Sequence, residues 1–289
     1  MQSKVLITGA NGQLGYEFRK LFSENSVPFL ATDFAELDIT NEKKIKEFFQ
    51  NNTFEYIINC AAYNDVDRAE RDKDACFALN AHAPLYLATV AKEQGGIFVT
   101  YSTDFVFDGK RNRPYVEEDL PNPMSVYAKS KLKGEQNVLN TYNKVFIIRT
   151  SWLFGIAGKN FNTQVLEWAK QKKELKIVDD QISSPTYAKD LAYFSWLLIQ
   201  TQHYGLYHFS NEGIASKFDQ AEYLLKKTGW TGVLNRAKTS DFNLPAQRPA
   251  YSKLDSSKIK KIVGKEIKTW QNAIDRWFTE WKIKNKELI

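Results

Sequence analysis

Short runs of β-branched and other apolar residues alternate with longer amphipathic stretches from the beginning of the chain. "KVLITGA" predicts a buried strand, and "LGYEFRKLFSE" has the apolar spacing of a helix packed on one face. The alternation continues through "PFLATD" (strand), "NEKKIKEFF" (helix), "YIINCAA" (strand) and a long helical region from Asp67 to about Gln94. "IFVTYSTD" (strand), "VYAKSKLKGEQNVLNTY" (helix) and "VFIIRTS" (strand) complete the first half. Nearly all-apolar strands separated by helices predict an α/β fold, a Rossmann-type doubly wound parallel sheet covered on both faces. Right-handed crossovers leave few other topologies.

The character changes after Ser151. "FNTQVLEWAKQKK" reads as helix, "LKIVDD" as extended, "DQISSPTY" as loop, "AKDLAYFSWLLIQT" as helix, "GLYHFSN" as strand and "SKFDQAEYLLKKTG" as helix. A proline-containing loop, "TSDFNLPAQRPAYSKL", precedes a Trp-rich amphipathic helix, "TWQNAIDRWFTEWKIKNK". The expected organisation is a dinucleotide-binding domain over 1–153, with returning segments at about 185–211. A smaller interleaved α/β substrate-binding lobe takes 154–184 and 212–289.

Composition narrows the function classes. An apolar fraction of 43% and a charged fraction of 26% are those of a soluble globular protein. The longest apolar run, "LAYFSWLLI", is too short to span a membrane. A strand-like run starts at once, which predicts no secretory signal. Cys60 and Cys76 lie in apolar segments without metal or disulfide spacing, as reduced thiols of a cytoplasmic protein would. His82, His203 and His208 are scattered, so no metal site is expected. The net charge of +6 is spread along the chain; its most basic piece, "KLDSSKIKKIVGKEIK", reads as solvated surface, and no nucleic-acid partner is expected. The Trp-rich helix, with Trp270, Trp277 and Trp281, suits either core or the contact surface of a homodimer.

Gly9, Gly12 and Gly15 in "LITGANGQLG" fall directly after the first strand and at the start of the first helix. There glycine allows a tight turn and close approach of backbone N–H groups to a pyrophosphate, and the helix N-terminus adds positive partial charge. No Lys-Ser/Thr follows, so a dinucleotide is favoured over a nucleoside triphosphate. Asp33, at the end of the second strand, is placed to take the adenosine ribose hydroxyl; its charge would repel a 2′-phosphate and so favours NADH. Asp38 is a second candidate at the adenine end, and the small residues of "CAAY" would let a cofactor lie over the third strand.

Tyr-x-x-x-Lys occurs three times, at Tyr16/Lys20, Tyr127/Lys131 and Tyr223/Lys227. Each places a phenol and an ammonium one helical turn apart. Only the middle pair follows the fourth strand, whose end carries Ser102, Thr103 and Asp104, and ligands in open α/β sheets sit beyond strand carboxyl ends. A carbonyl accepting hydride needs a proton on oxygen. A free Tyr has a pKa of about 10, and a nearby ammonium is expected to lower it. Thr103 would offer a hydrogen bond to the same oxygen.

These motifs resemble the extended short-chain dehydrogenase/reductases. "GANGQLG", "AAYNDVDRAE", "STDFVFDG", "RTSWLFG", "DQISSPT", "GLYHFSN" and "QRPAYSKLD" are similar, in order over nearly the whole chain, to the dTDP-4-dehydrorhamnose reductase family. The resemblance implies NADPH- or NADH-dependent reduction of the C4 ketone of a dTDP-sugar, dTDP-4-dehydro-L-rhamnose, to dTDP-L-rhamnose. It implies Tyr127 as proton donor, Lys131 on the nicotinamide ribose and Thr103 completing the triad. Gly12, Gln13 and Leu14 would meet the cofactor phosphates, Asp38 and Ile39 its adenosine end, and Ala61, Ala62 and Tyr63 its middle. Thr103, Asp104 and Trp152 would meet the sugar, and Asn160 and Arg248 the nucleotide diphosphate. Phe105, Ala128 and the "AQRP" loop depart from commoner family residues; the last weakens the implication for Arg248. Some relatives use acidic residues and Mg²⁺ at a dimer contact; Glu17 matches one such position, without a convincing set around it. The alternatives are a reductase of another nucleotide-linked 4-ketohexose and a non-catalytic dinucleotide-binding subunit like the regulatory β subunit of methionine adenosyltransferase.

Overall fold

The computed structural model describes residues 4–285; Met1–Ser3 and Lys286–Ile289, which the expectation of no leader and the end of the Trp-rich helix touch on, lie outside them. The first half runs β1 (Val5–Thr8), α1 (Gln13–Glu24), β2 (Phe29–Thr32), α2 (Glu42–Gln50), β3 (Tyr56–Asn59), α3 (Lys73–Phe77), α4 (Ala83–Gln94), β4 (Ile97–Thr103), α5 (Val126–Thr141) and β5 (Val145–Thr150). Then come β6 (Leu153–Phe154), α6 (Phe161–Gln171), β7 (Glu174–Val178), β8 (Ile182–Ser183), β9 (Thr186–Tyr187), α7 (Ala188–Ile199) and β10 (Gly205–His208). The chain ends with β11 (Ala215–Ser216), α8 (Lys217–Thr228), β12 (Val233–Ala237), α9 (Ser257–Val263) and α10 (Trp270–Lys284).

A six-stranded sheet in the order β10-β5-β4-β3-β1-β2 is parallel throughout. Its strands read as continuous apolar runs because both faces are buried. Val5 and Ile7 of β1 join Phe18 and Phe22 of α1 in one core layer, while Leu6 enters the opposite layer with Leu87 and Ala91 of α4. β5 divides the same way, Phe146 and Ile148 to one side and Val145 and Ile147 to the other. Each such large side chain contributes roughly 1.5–3 kcal/mol on burial. The strand sequence reverses direction at β1, which opens a crevice beyond the carboxyl ends of the central strands.

The helical region expected from Asp67 opens with a short 3₁₀ turn and then runs continuously from Lys73 to Gln94, widened to a π turn at Ala78–His82. Pro84 supplies the reason: it has no N–H for the carbonyl of Asn80. That carbonyl faces Gly134 of α5, where a Cβ would come within 2.1 Å of it. "DQISSPTY", expected as loop, contains the short strands β8 and β9; two residues each are too few for a periodic signal.

A separate apolar cluster joins α6, β7, α8 and α10. Trp270 and Trp277 are 4% and 0% exposed within it, so the Trp-rich helix is core at those positions rather than a contact surface. Ile259 of α9 and Ile267, from the segment expected in the second lobe, pack instead in the sheet's first core layer beside α7 and β10.

Candidate active site

The carboxyl ends of β1, β3, β4 and β5 open onto a cleft of about 790 Å³. Its floor begins at the glycine loop. Gly9 has φ +64°, and a Cβ there would lie 2.5 Å from the Ala61 amide nitrogen, so the turn against β3 admits only glycine. Gly15 does not line the cleft; a Cβ there would meet the Gly9 carbonyl oxygen at 2.3 Å, and it serves loop–helix packing. Gly12, Gln13 and Leu14 line the cleft beside Gly9, Asp33, Asp38 and Ile39 line one end, and Ala61, Ala62 and Tyr63 line the middle. Asp33 braces the loop, accepting from the backbone N–H groups of Asn11 at 3.0 Å and Phe34 at 2.8 Å.

Gln13 Oε1, Ser102 Oγ and Thr150 Oγ1 are buried without a hydrogen-bond partner, and all three residues line this cleft. Buried polar atoms are normally paired. Unpaired ones along a glycine-floored groove fit an extended polar ligand such as a dinucleotide.

The Tyr127/Lys131 pair faces the same cleft from α5, with Thr103 and Asp104 at the end of β4 and Trp152 beyond β5. Ser125 caps α5, its hydroxyl accepting from the Ala128 N–H at 3.2 Å. The other two pairs are consumed elsewhere. Lys20 meets Glu280 at 3.3 Å, and Lys227 meets Asp275 at 2.6 Å, which also takes the Tyr223 hydroxyl. Lys131 forms no ion pair among the described residues, and the Thr103 hydroxyl donates to the Asp104 carboxylate at 3.2 Å.

The electrostatics reverse one expectation. Burial pushes the Tyr127 phenol well above its ordinary value; the neighbouring Thr103 opposes the rise, and the charge of Asp104 adds to it. Lys131 is not among the groups that shift it. Desolvation dominates at both groups: burial also brings Lys131 down to about 8, against the opposing charge of Glu135. Asp104 is 2% exposed and is raised to about 6, because burial outweighs the hydroxyls of Ser252, Thr103 and Ser183 that point at it.

Two expected contacts are otherwise engaged. Arg248 does not line the cleft; its guanidinium pairs with Asp67 at 2.6 Å and with the Ala246 carbonyl at 2.9 Å. Asn160 lines the cleft, but its amide caps α6 by accepting from the Thr163 N–H and donates to the Gly155 carbonyl at 3.0 Å. Several residues brought to the site carried no local signal. Asn80, in the π turn, bonds the Tyr63 backbone in both directions and donates to Ser130 at 3.0 Å, and the Ser130 hydroxyl donates to the Tyr127 carbonyl at 2.7 Å. It thereby ties the β3 loop to the turn of α5 that carries Tyr127. Ser183 and Ser252 reach Asp104 from the far half of the chain.

Among the described residues no group of three His, Cys, Asp or Glu side chains is placed to hold a metal. Glu17 and Glu280 do come together, but with Lys20 and Lys189, whose ammonium groups lie 3.3 and 2.5 Å from Glu280. Two lysines thus supply the charge a divalent cation would, and the residues do not fit Mg²⁺. Glu17 is 2% exposed and is raised to about 7, first by burial and then by Glu280. The folded chain therefore holds this proton more tightly than the unfolded one. The resulting stability is present below the ordinary carboxylate value and lost as pH rises through about 7. Glu17→Gln is expected to flatten that fall, worth up to about 3 kcal/mol, in urea unfolding at about pH 5 and pH 8. An unchanged slope would remove Glu17 as its source.

Comparison with known proteins follows the same geometry. The family model described as RmlD substrate binding domain matches residues 3–283. The dTDP-4-dehydrorhamnose reductase of Aggregatibacter actinomycetemcomitans is 38% identical over 288 residues, covering 94% of this chain and 97% of the relative. The crystal structure of a dTDP-4-dehydrorhamnose reductase from Clostridium acetobutylicum superposes with a TM-score of 0.94 at 37% identity, covering 96% of this chain and 99% of that one. That of the Bacillus anthracis dTDP-4-dehydrorhamnose reductase in complex with NADP gives 0.93 at 36% identity, covering 97% and 100%. With a parallel sheet, a glycine-floored cleft and these full-length likenesses, the chain belongs to the dTDP-4-dehydrorhamnose reductase family of extended short-chain dehydrogenase/reductases.

Proposed function

We propose that this chain reduces the C4 ketone of dTDP-4-dehydro-L-rhamnose to dTDP-L-rhamnose, using NADPH or NADH, with Tyr127 as the proton donor. The observation that carries the reading is the placement of Tyr127, Lys131 and Thr103 together in the cleft that the glycine loop floors. Gly9, Gly12, Gln13 and Leu14 would hold the cofactor diphosphate, Asp33, Asp38 and Ile39 the adenosine, and Ala61, Ala62 and Tyr63 the middle. A bound nicotinamide cofactor supplies the hydride to C4.

Tyr127 then gives its proton to O4 as charge develops there. A phenol held protonated by burial suits reduction, since the donor must carry its proton when the ketone arrives. Thr103 lies beside the phenol at the end of β4, and Lys131, one turn further along α5, would hold the nicotinamide ribose. The Trp152 indole and Asp104 flank the sugar. The chain acts in the cytoplasm in this reading, on a soluble nucleotide sugar.

The test is loss of reduced-nicotinamide absorbance when purified protein meets the dTDP-4-keto-6-deoxysugar. Turnover is expected with NADPH and NADH, with the lower KM for NADH, because the Asp33 carboxylate repels a 2′-phosphate. If neither cofactor is oxidised, the reading fails.

A further inference from the structure

Lys217, the first residue of α8, holds its ammonium 3.7 Å from the centre of the Trp152 ring and 4.6 Å from that of Phe161. Among the described residues it forms no ion pair and no hydrogen bond; its contacts are the two aromatic faces. A half-buried cation without a direct ion pair leaves room for an anionic ligand. The charged groups that bear on it are Asp104 and Arg248. Asp104 is the opposite charge, but it forms no ion pair with the ammonium and its oxygens are hydrogen-bonded to the hydroxyls of Ser252, Ser183 and Thr103; Arg248 is a second cation.

Trp152 supports a ligand site here. It is a non-glycine residue at φ +46°, in the left-handed region, two residues past β5; it lines the cleft, and its ring carries the Lys217 ammonium. Backbone strain of this kind persists where surrounding structure holds a side chain for use. α6 and α8 both begin beside the ammonium, at Phe161 and Lys217, and their N-terminal dipoles add to the positive field.

We propose that Lys217 is a substrate-recognition residue whose ammonium takes the diphosphate of the nucleotide sugar, fixing the sugar against Trp152 with its ketone toward Tyr127. The proposal rests on the reductase reading above and deepens it. The anion nearest the reacting carbon of such a substrate is the diphosphate on C1, one sugar ring away. Lys217 lies against the ring of Trp152, which lines the cleft there. A charge-assisted contact of this type corresponds to about tenfold or more in affinity.

Lys217→Met, which keeps the stem over the indole, is expected to raise KM for the dTDP-4-keto sugar about tenfold or more while leaving kcat and NADPH affinity near wild type. Lys217→Arg should recover part of the loss. Titration calorimetry with dTDP and with thymidine separates phosphate recognition from base recognition: dTDP affinity should fall in Lys217→Met and thymidine affinity should not. Wild-type turnover together with unchanged KM and dTDP affinity in Lys217→Met would overturn the proposal. A fall in thymidine affinity equal to that for dTDP would overturn it too. Absence of wild-type turnover, by contrast, would overturn the reductase reading itself.

Discussion

Tyr127→Phe is expected to lower kcat by about 10²–10⁴-fold, the range of a lost general acid, with NADPH affinity unchanged. The ring itself is structural as well as chemical: it packs edge-on against Phe105 with centroids 6.1 Å apart and closes a small cluster with Cys76 and Ala69. Phenylalanine keeps that packing and removes only the hydroxyl, so lost turnover would report on proton delivery rather than on folding. Steady-state kinetics beside NADPH binding by fluorescence separates the two. Wild-type turnover in the variant would take Tyr127 out of the chemistry.

The second large effect lies behind the site. Arg149 on β5 and Glu135 on α5 form a two-contact ion pair at 2.9 and 2.7 Å, with side chains 3% and 4% exposed. Arg149 also lies over the Phe107 ring at 5.1 Å and beside His208, which burial and the guanidinium charge bring down to about 3 and so keep neutral. Glu135 sits one turn past Lys131 and is the principal charge favouring its protonated form. Glu135→Ala leaves a guanidinium buried without its partner, so the expected loss is about 3–5 kcal/mol of stability, measured by urea unfolding. A loss below about 1 kcal/mol would match an exposed pair instead and contradict this burial. Because α5 carries both Tyr127 and Lys131, this pair fixes the catalytic helix to the sheet. Structure and chemistry share one carboxylate.

What the sequence made legible follows from the range of the forces involved. β1 and α1 were readable because a strand buried on both faces must be apolar throughout, and a helix on the sheet must repeat its apolar face every turn. The choice among the three Tyr/Lys pairs was also accessible, since topology alone puts one of them beyond β4. Asn80 is hidden because its position depends on the π turn ahead of Pro84, inside a helix that local periodicity draws as regular. Ser252 was invisible for a different reason: it reaches Asp104 across 148 residues. Lys217 reads, within its own helix, as one more solvated lysine, and only the fold places it between Trp152 and Phe161. The direction of the Tyr127 shift is not legible in the sequence, where an i,i+4 ammonium is written and desolvation is not. Arg248 was chosen as the guanidinium of its loop, while Asp67, its partner here, lies on a loop from the other half of the chain.

The most direct measurement is a crystal structure of the ternary complex with NADPH and the product, dTDP-L-rhamnose. The sugar O4 is expected within hydrogen-bonding distance of the Tyr127 hydroxyl and Thr103, with C4 against the nicotinamide. A sugar bound with O4 turned away from Tyr127, or a Tyr127 hydroxyl directed away from the coenzyme into packing, would contradict proton delivery from this phenol.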